Sequence, residues 1–268
     1  MSHTLHLGDA LGPAGLASLP DLSIDVTIVD CPYSEHVHTR SRRGATGCAN
    51  DGESGNGRTS FNRVRDLGFA SITPKEIAAL AKEYARLTRR WVLSFCDVES
   101  VHLWRDAFTA AGLEPIRVGA WIKVGATPSF VGDRPAVGYE AIVIAHRRGR
   151  KRWNGGGRHA LWTFPIVLER GNGEHRVHTT QKPEALLAAL VFDFSDPGET
   201  ILDSHAGSGT CGVVAKRMGR SFVGWEIQPK YHAIASARIA GATEQPELCF
   251  AKPRKVKQSS LPLPPEPK

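Results

Sequence analysis

A chain of 268 residues, 41% hydrophobic and 23% charged, is long enough to bury one sizeable core and too mixed in composition for a disordered or fibrous polymer. Its formal net charge of +7 favours an acidic partner such as nucleic acid, and no run reaches the roughly 18 apolar residues of a membrane span, so no membrane partner is expected. Five cysteines, Cys31, Cys48, Cys96, Cys211 and Cys249, are scattered with no CxxC pair, which argues against a disulfide framework or a zinc site and predicts free thiols in a reducing, cytoplasmic setting.

In chain order, the opening "MSHTLHLGDA" lacks the basic start and long apolar segment of an export signal, and its "LHL" reads as a short strand. "DVTIV", from Asp25, is a β-branched run that reads as a buried strand. It stops on Asp30, Cys31, Pro32 and Tyr33: an acid, a small residue, a proline and an aromatic, at the strand end where open α/β sheets place ligands. A Pro-containing turn with a packed Tyr is the plainer alternative for these four residues alone. Ser34 to Ser71, rich in Gly, Ser, Asn and Arg, is too long for a simple connection and is a candidate lid or substrate loop. Its Arg40, Arg42 and Arg43 suit the phosphates of a nucleic acid, or serve solubility.

Thr73-Pro74 ahead of Lys75 and Glu76 marks a helix start, and Gly112 closes the following helix. "WVLSF", "PIRVGAWI" and "GYEAIVIAH" read as strands. From His146 to His178 there are eight Arg or Lys, Arg147, Arg148, Arg150, Lys151, Arg152 and Arg158 among them, against two acids. Trp153, Trp162 and Phe164 interleave this segment, as expected where phosphates are gripped and bases touched; it is a candidate nucleic-acid-binding segment, with a solvated basic loop as the alternative. Strand and helix patterns then alternate to "YHAIASARI", and beyond about Thr243 a Pro- and Lys-rich tail reads as disordered. The alternation predicts one domain over 1–242, a doubly wound, mostly parallel α/β sheet with helices on both faces, followed by a tail over 243–268.

The sharpest signal is "ETILDSHAGSGTCGVVAKRMGRSFVGWEIQ". A strand ending at Asp203, a glycine-rich turn, a helix and a second strand ending in Glu226 is how a nucleotide-like cofactor is held. Glycines let the backbone approach the ligand, and an acid about 20 residues on accepts ribose hydroxyls. Gly207, Gly209 and Gly212 are in register, so spacing alone also admits NAD. His36 with His38 and His175 with His178 have spacings a metal could use, but no cysteine or carboxylate cluster joins them; no metal is expected.

Taken together, the strand-end tetrad, the Ala206-Gly207-Ser208-Gly209-Thr210 turn, the intervening "HTTQKPEALL" and the opening "LHLGDAL" resemble the amino-methyltransferases of DNA. The order matches their beta-class permutation, in which the tetrad precedes the cofactor motif, and the resemblance runs from Leu5 to about Ile239. It implies the circularly permuted, seven-stranded sheet of S-adenosylmethionine-dependent methyltransferases, S-adenosylmethionine as cofactor, DNA as partner, and base flipping before transfer. The family tetrad is usually Asp-Pro-Pro-Tyr, its cofactor turn follows Asp-Pro-Phe, and the segment before reads His-Pro-Thr-Gln-Lys-Pro. Here Cys31, His205 and Thr179 depart from it.

The resemblance implies that Asp30 and the carbonyl of Cys31 accept the target amine's hydrogens, Pro32 fixes the turn and Tyr33 stacks on the base. It places Asp9 by the cofactor adenine, Asp203 by its amino group, Glu226 on the ribose, and Thr180 and Lys182 near the methionine end, with His205 stacking on the adenine or filling space. Asp-headed tetrads tend towards adenine N6, so a site-specific adenine methylase, orphan or part of a restriction-modification pair, is the expectation. Cytosine N4, an RNA target, a degraded DNA-binding relative and an NAD oxidoreductase are the alternatives. By the resemblance, residues 146–178 are the candidate target-recognition segment, and its small size implies either a short recognition sequence or help from a second subunit, as in a homodimer.

Overall fold

Eight strands form one sheet in the computed structural model, which describes residues 1–34, 71–126, 128, 135–168, 177–178 and 180–244. In chain order the elements are β1 (His3–Leu7), β2 (Ile24–Asp30), α1 (Pro74–Leu87), β3 (Thr88–Cys96), α2 (Val101–Ala110), β4 (Leu113–Val124), β5 (Tyr139–Arg147), β6 (Leu161–Pro165), α3 (Glu184–Phe194), β7 (Thr200–Asp203), α4 (Thr210–Arg217), β8 (Ser221–Glu226) and α5 (Pro229–Gly241). The sequence predicts seven strands; the eighth is β6, inside the basic segment, where "LWTFP" is hidden among charged and turn residues. Of the expected lid, residues 35–70 lie outside the described residues, as does the tail beyond Glu244.

Sheet order is β1-β8-β7-β2-β3-β5-β4-β6. Every neighbouring pair is parallel except those made by β5, which runs antiparallel to β3 and β4. Because alternate strand residues face opposite sides, the sheet feeds two cores. Val26 and Ile28 of β2, with Trp91, Leu93 and Phe95 of β3, pack under α3 and α4. Val29 and Cys31, with Val92 and Cys96, pack under α1 and α2. The result is the predicted layer of helices on each face.

Local signals set the helix ends. Thr73 caps α1 in a capping box with Glu76, the Glu76 amide donating to the Thr73 hydroxyl oxygen at 3.3 Å and the Thr73 amide to the Glu76 carboxylate at 2.7 Å. Gly112 follows α2 with φ +85°, the left-handed residue expected there.

What positions the site is the direction of winding. From β2 the chain passes through α1 to β3 on one side, and from β7 through α4 to β8 on the other, while β2 and β7 are direct neighbours, with Val26 opposite Ile201. This is a topological switch point, and the crevice beyond its strand ends is where doubly wound sheets bind ligands. The tetrad and the glycine turn lie on either side of it.

Gly209 joins the turn to the rest of the fold. Its φ is +75°, and a Cβ there would stand 2.7 Å from the Ala235 Cβ of α5. Gly112 is also left-handed, with open space around it. Gly112→Ala should therefore cost only the left-handed backbone penalty, about 1 to 2 kcal/mol, and Gly209→Ala about 2 to 5 kcal/mol once overpacking against α5 is added. Urea denaturation of both variants checks the difference; equal losses would contradict it.

Candidate active site

A cavity of about 480 Å³ opens where the carboxyl ends of β1, β2, β7 and β8 meet. It is lined by Asp9, by all four tetrad residues, by Thr180 and Lys182, and by Asp203, His205, Ala206, Gly207, Ser208, Thr210 and Glu226. Residues separated by most of the chain are thus brought to one hollow. Gly209 does not line it; it stands at the N-cap of α4.

The cavity is acidic within a basic protein. Asp9, Asp30, Glu76, Glu140, Asp203 and Glu226 reach its wall, against Lys182 as the one Lys or Arg among the described lining residues. Asp203 is 5% exposed and accepts the His205 amide at 3.0 Å. Burial, with Asp30 and Glu226 adding like charge, pushes its carboxyl up to about 7. Glu226 accepts the Gly207 amide at 2.8 Å through Oε2 and the Gln228 amide at 2.8 Å through Oε1. Burial raises its carboxyl, and those amides pull it part of the way back. The glycine turn and the acid at the end of β8 are therefore one hydrogen-bonded unit.

On the β2 side, Lys182 is 7% exposed and donates to Asp30 Oδ2 at 2.5 Å. Its ammonium also lies 3.2 Å from Glu140 Oε2. Burial alone would lower the Lys182 ammonium, but Asp30 and Glu140 outweigh it and hold it above its ordinary range. Burial pushes the Asp30 carboxyl upward and Lys182 opposes that. The Tyr33 hydroxyl donates to Glu140 Oε2 at 2.6 Å, and Lys123 reaches Glu140 Oε1 at 2.5 Å. Burial raises the Glu140 carboxyl, yet Lys182 and Lys123 more than reverse this and hold it at about 2.

Cys31, standing where the resembled tetrad has Pro, points its thiol into a polar chain. Its Sγ lies 3.7 Å from the Tyr84 hydroxyl and 3.5 Å from His205 Nδ1, Tyr84 meets the Ser204 hydroxyl at 2.6 Å, and Ser204 meets His205 Nδ1 at 2.9 Å. Burial keeps the Cys31 thiol well above its usual range and lowers the His205 imidazole to about 4, so both are neutral near pH 7. His178 packs edge-on against Tyr231 at 4.3 Å and meets the Thr180 hydroxyl at 3.2 Å. Burial, with Lys182 adding positive charge, lowers it to about 4.

The basic segment is placed differently from the expectation. Because β5 runs antiparallel, with Trp91 opposite His146 and Cys96 opposite Ala141, Arg147 and the residues after it emerge at the far end of the sheet from the cavity. Arg147 donates to the Ala85 carbonyl at 2.6 Å, Lys151 pairs with Glu114 at 2.8 Å, Arg152 with Asp196 at 3.0 Å, and Arg158 with Asp193. Arg150 lies exposed with Arg148 on the same stretch. The aromatics serve packing: Trp162 is buried with its indole N–H on Asp193, and Trp153 stands edge-on to Phe194. Charge density in the sequence carries no strand direction, so it could not show which end of the sheet the segment occupies. Arg40, Arg42, Arg43 and Thr179 lie outside the described residues.

Sequence reasoning missed Glu140, Tyr84, Ser204 and the Lys182 pairing with Asp30. Glu140 had a signal: it is the acid at the mouth of the apolar run "AIVIA", and a carboxylate entering a buried strand needs partners. Tyr84 had none, since a Tyr on the apolar stripe of α1 reads as core.

A family model described as a DNA methylase of the N6/N4 type matches residues 143–237. The type II methyltransferase M.HinfI of Haemophilus influenzae is 23% identical over 282 residues, covering 97% of this chain and 75% of that protein. The DNA adenine methyltransferase YhdJ of Escherichia coli (strain K12) is 40% identical over 101 residues, 38% of this chain and 34% of that one. Among solved structures, M1.HpyAVI in complex with SAM superposes with a TM-score of 0.64 at 19% identity, covering 89% of this chain and 99% of that one. The cytosine-N4-specific PvuII DNA methyltransferase superposes at 0.67 and 15% identity, covering 93% and 90%. The family model over residues 143–237, the relatives and the solved structures show a chain similar to N6/N4 DNA methylases, with their fold and a switch-point cavity that holds the tetrad and most of the glycine turn.

Proposed function

We propose that this protein is a DNA methylase that transfers a methyl group from S-adenosylmethionine to N6 of an adenine turned out of its DNA duplex. The observation that carries the reading is the acidic switch-point cavity with Asp30 in its wall. Such a wall suits a ligand bearing an ammonium and a sulfonium, and repels the pyrophosphate of NAD, which glycine spacing alone left open. The residues present fit the methyl donor. Glu226 offers carboxylate oxygens for ribose hydroxyls, Asp203 an acid for the amino group, and at Gly207 an added Cβ would meet nothing nearer than His178 at 3.9 Å, so the backbone there is open to a ligand.

When bound, S-adenosylmethionine supplies a methyl group on positively charged sulfur, which an amine displaces in line. The exocyclic amine of a base is a poor nucleophile because its lone pair is delocalised into the ring. Asp30 and the Cys31 carbonyl, accepting one hydrogen each, would turn that lone pair towards the methyl group and stabilise the charge that develops on nitrogen. Lys182 occupies Asp30 Oδ2, leaving Oδ1 for the substrate. The Tyr33 ring would replace stacking given up when the base leaves the duplex. Adenine is favoured over cytosine by the Asp-headed tetrad and by the likeness to YhdJ; the likeness in fold to an N4 enzyme keeps cytosine as the second reading.

Methylated DNA digested to nucleosides should contain N6-methyladenine by mass spectrometry; N4-methylcytosine as the sole product would move the target to cytosine. Asp30→Asn should lower turnover on the order of 10² to 10³-fold with cofactor affinity nearly unchanged, and near-native turnover would remove Asp30 from the reaction.

Cofactor affinity should depend on pH through Asp203. The ionised acid pairs with the ligand's amino group, and its carboxyl sits at about 7 in the free protein, so affinity is fully developed above that value and declines as pH falls through it. Between pH 7.5 and 6 the dissociation constant of S-adenosylhomocysteine should rise roughly eightfold, while the His178 and His205 rings, at about 4, stay neutral. Calorimetry on the wild type and Asp203→Asn checks this: the variant should bind weakly with a flat profile, and a flat wild-type profile would contradict it.

DNA presenting a base to this cavity meets the end of the sheet opposite Arg150, Lys151 and Arg152. Neutralising these three should leave the salt dependence of DNA binding unchanged. Neutralising Arg40, Arg42 and Arg43, which follow the tetrad in sequence, should flatten it by about 0.9 log units for each phosphate no longer neutralised. The reverse pattern would place the duplex at the other end of the sheet.

A further inference from the structure

Glu140 occupies a position that neither the cofactor motif nor the tetrad accounts for. It lies near the start of β5, and because that strand runs antiparallel to β3 its start comes beside the carboxyl end of β3, one strand from that of β2. Both of its carboxylate oxygens are engaged: Oε1 by Lys123 from β4 at 2.5 Å, Oε2 by the Tyr33 hydroxyl at 2.6 Å and by Lys182 at 3.2 Å. Lys182 comes from the segment before α3 and reaches Asp30 at 2.5 Å, passing over the rings of Tyr33 and Phe95 at 5.5 and 5.1 Å. Two carboxylates and two ammoniums thus form a closed set with Tyr33 inside it, and the Glu140 side chain is 12% exposed.

That arrangement bears on the reaction through Lys182. An ammonium facing a single buried carboxylate binds it as tightly as geometry allows, and a carboxylate so held is a weaker acceptor for a neutral amine. A second carboxylate on the other side of the ammonium divides its hydrogen bonds and its charge. Glu140 is that second carboxylate. Through Oε2 it also fixes the hydroxyl, and hence the ring plane, of Tyr33.

We propose that Glu140 is a positioning residue for methyl transfer, holding Tyr33 in place and sharing Lys182 with Asp30 so that Asp30 remains a competent acceptor for the target amine. The proposal rests on the roles given to Asp30 and Tyr33 above. A merely structural Glu140 would change stability alone; a positioning Glu140 changes kcat at constant cofactor affinity.

The test is steady-state methyl transfer to DNA, with S-adenosylhomocysteine affinity by calorimetry and thermal midpoints measured alongside, for wild type, Glu140→Gln, Glu140→Asp, Tyr33→Phe and Asp30→Asn. Glu140→Gln keeps the shape and removes the charge; kcat should fall on the order of tenfold to hundredfold with affinity for S-adenosylhomocysteine within threefold of wild type. Glu140→Asp, which restores the charge, should recover part of the loss. Tyr33→Phe keeps the ring, removes the hydroxyl that Glu140 holds, and should lower kcat severalfold even if Glu140→Gln does not fold. A kcat within twofold of wild type in Glu140→Gln or, should that variant not fold, in Tyr33→Phe overturns the proposal, as does a loss in Glu140→Asp equal to that in Glu140→Gln. If Asp30→Asn is inactive while Glu140→Gln is fully active, only this proposal fails; if wild type transfers no methyl group to any DNA, or Asp30→Asn is as active as wild type, the functional reading fails with it.

Discussion

Gathering carboxyl groups into one buried hollow costs free energy twice, through reduced hydration and through mutual repulsion, and the architecture around the cavity is a set of answers to that cost. Asp30 is met by Lys182, and Glu140 by Lys182, Lys123 and the Tyr33 hydroxyl. Glu226 is met by the amides of Gly207 and Gln228, and Asp203 by the amide of His205. The answers on the β2 side are charged side chains; those on the β7 and β8 side are backbone dipoles. Asp203, pushed up to about 7, is the least compensated of these acids, and it faces the part of the cavity where a cationic ligand would supply the missing charge. The β2 side is thus compensated by ammonium groups of the chain itself, and the β7 and β8 side carries no such cation among the described lining residues.

The sheet makes this division possible. β2 and β7 are neighbours whose chains wind away in opposite directions, so the tetrad and the glycine turn, far apart in sequence, open onto the same crevice from its two sides. The antiparallel β5 then adds a residue that a purely parallel sheet would not deliver: its start, rather than its end, lies at the cavity, and Glu140 with it.

Much of this was legible in the sequence because the informative features are local. The β-branched run ending at Asp30, the Gly207-Ser208-Gly209 turn with Glu226 after it, and the Thr73-Pro74 cap are patterns of adjacent residues whose physical meaning does not depend on the rest of the fold. The cavity is lined by the tetrad and, Gly209 apart, by the glycine turn. What was not legible depends on direction and pairing. Eight cationic residues between His146 and His178 suggest a nucleic-acid interface, but not that the reversal of β5 places Arg147 to Arg152 at the end of the sheet away from the cavity. There Glu114 and Asp196, remote in sequence, neutralise two of them. Trp162 suggests a base-stacking residue until β6 buries it. The sequence leaves a solvent-facing place at a helix start as the lesser alternative for Lys182, and the arrival of Asp30 and Glu140 from two other strands makes it an interior ion.

The most direct measurement is a crystal structure of the protein with S-adenosylhomocysteine. The account places the ligand in the switch-point cavity, its ribose hydroxyls on Glu226, its amino group against Asp203, and Asp30 still paired with Lys182 at the open side where a base would enter. A ligand seated elsewhere, or one whose ribose turns away from Glu226 with its amino group remote from Asp203, would contradict it.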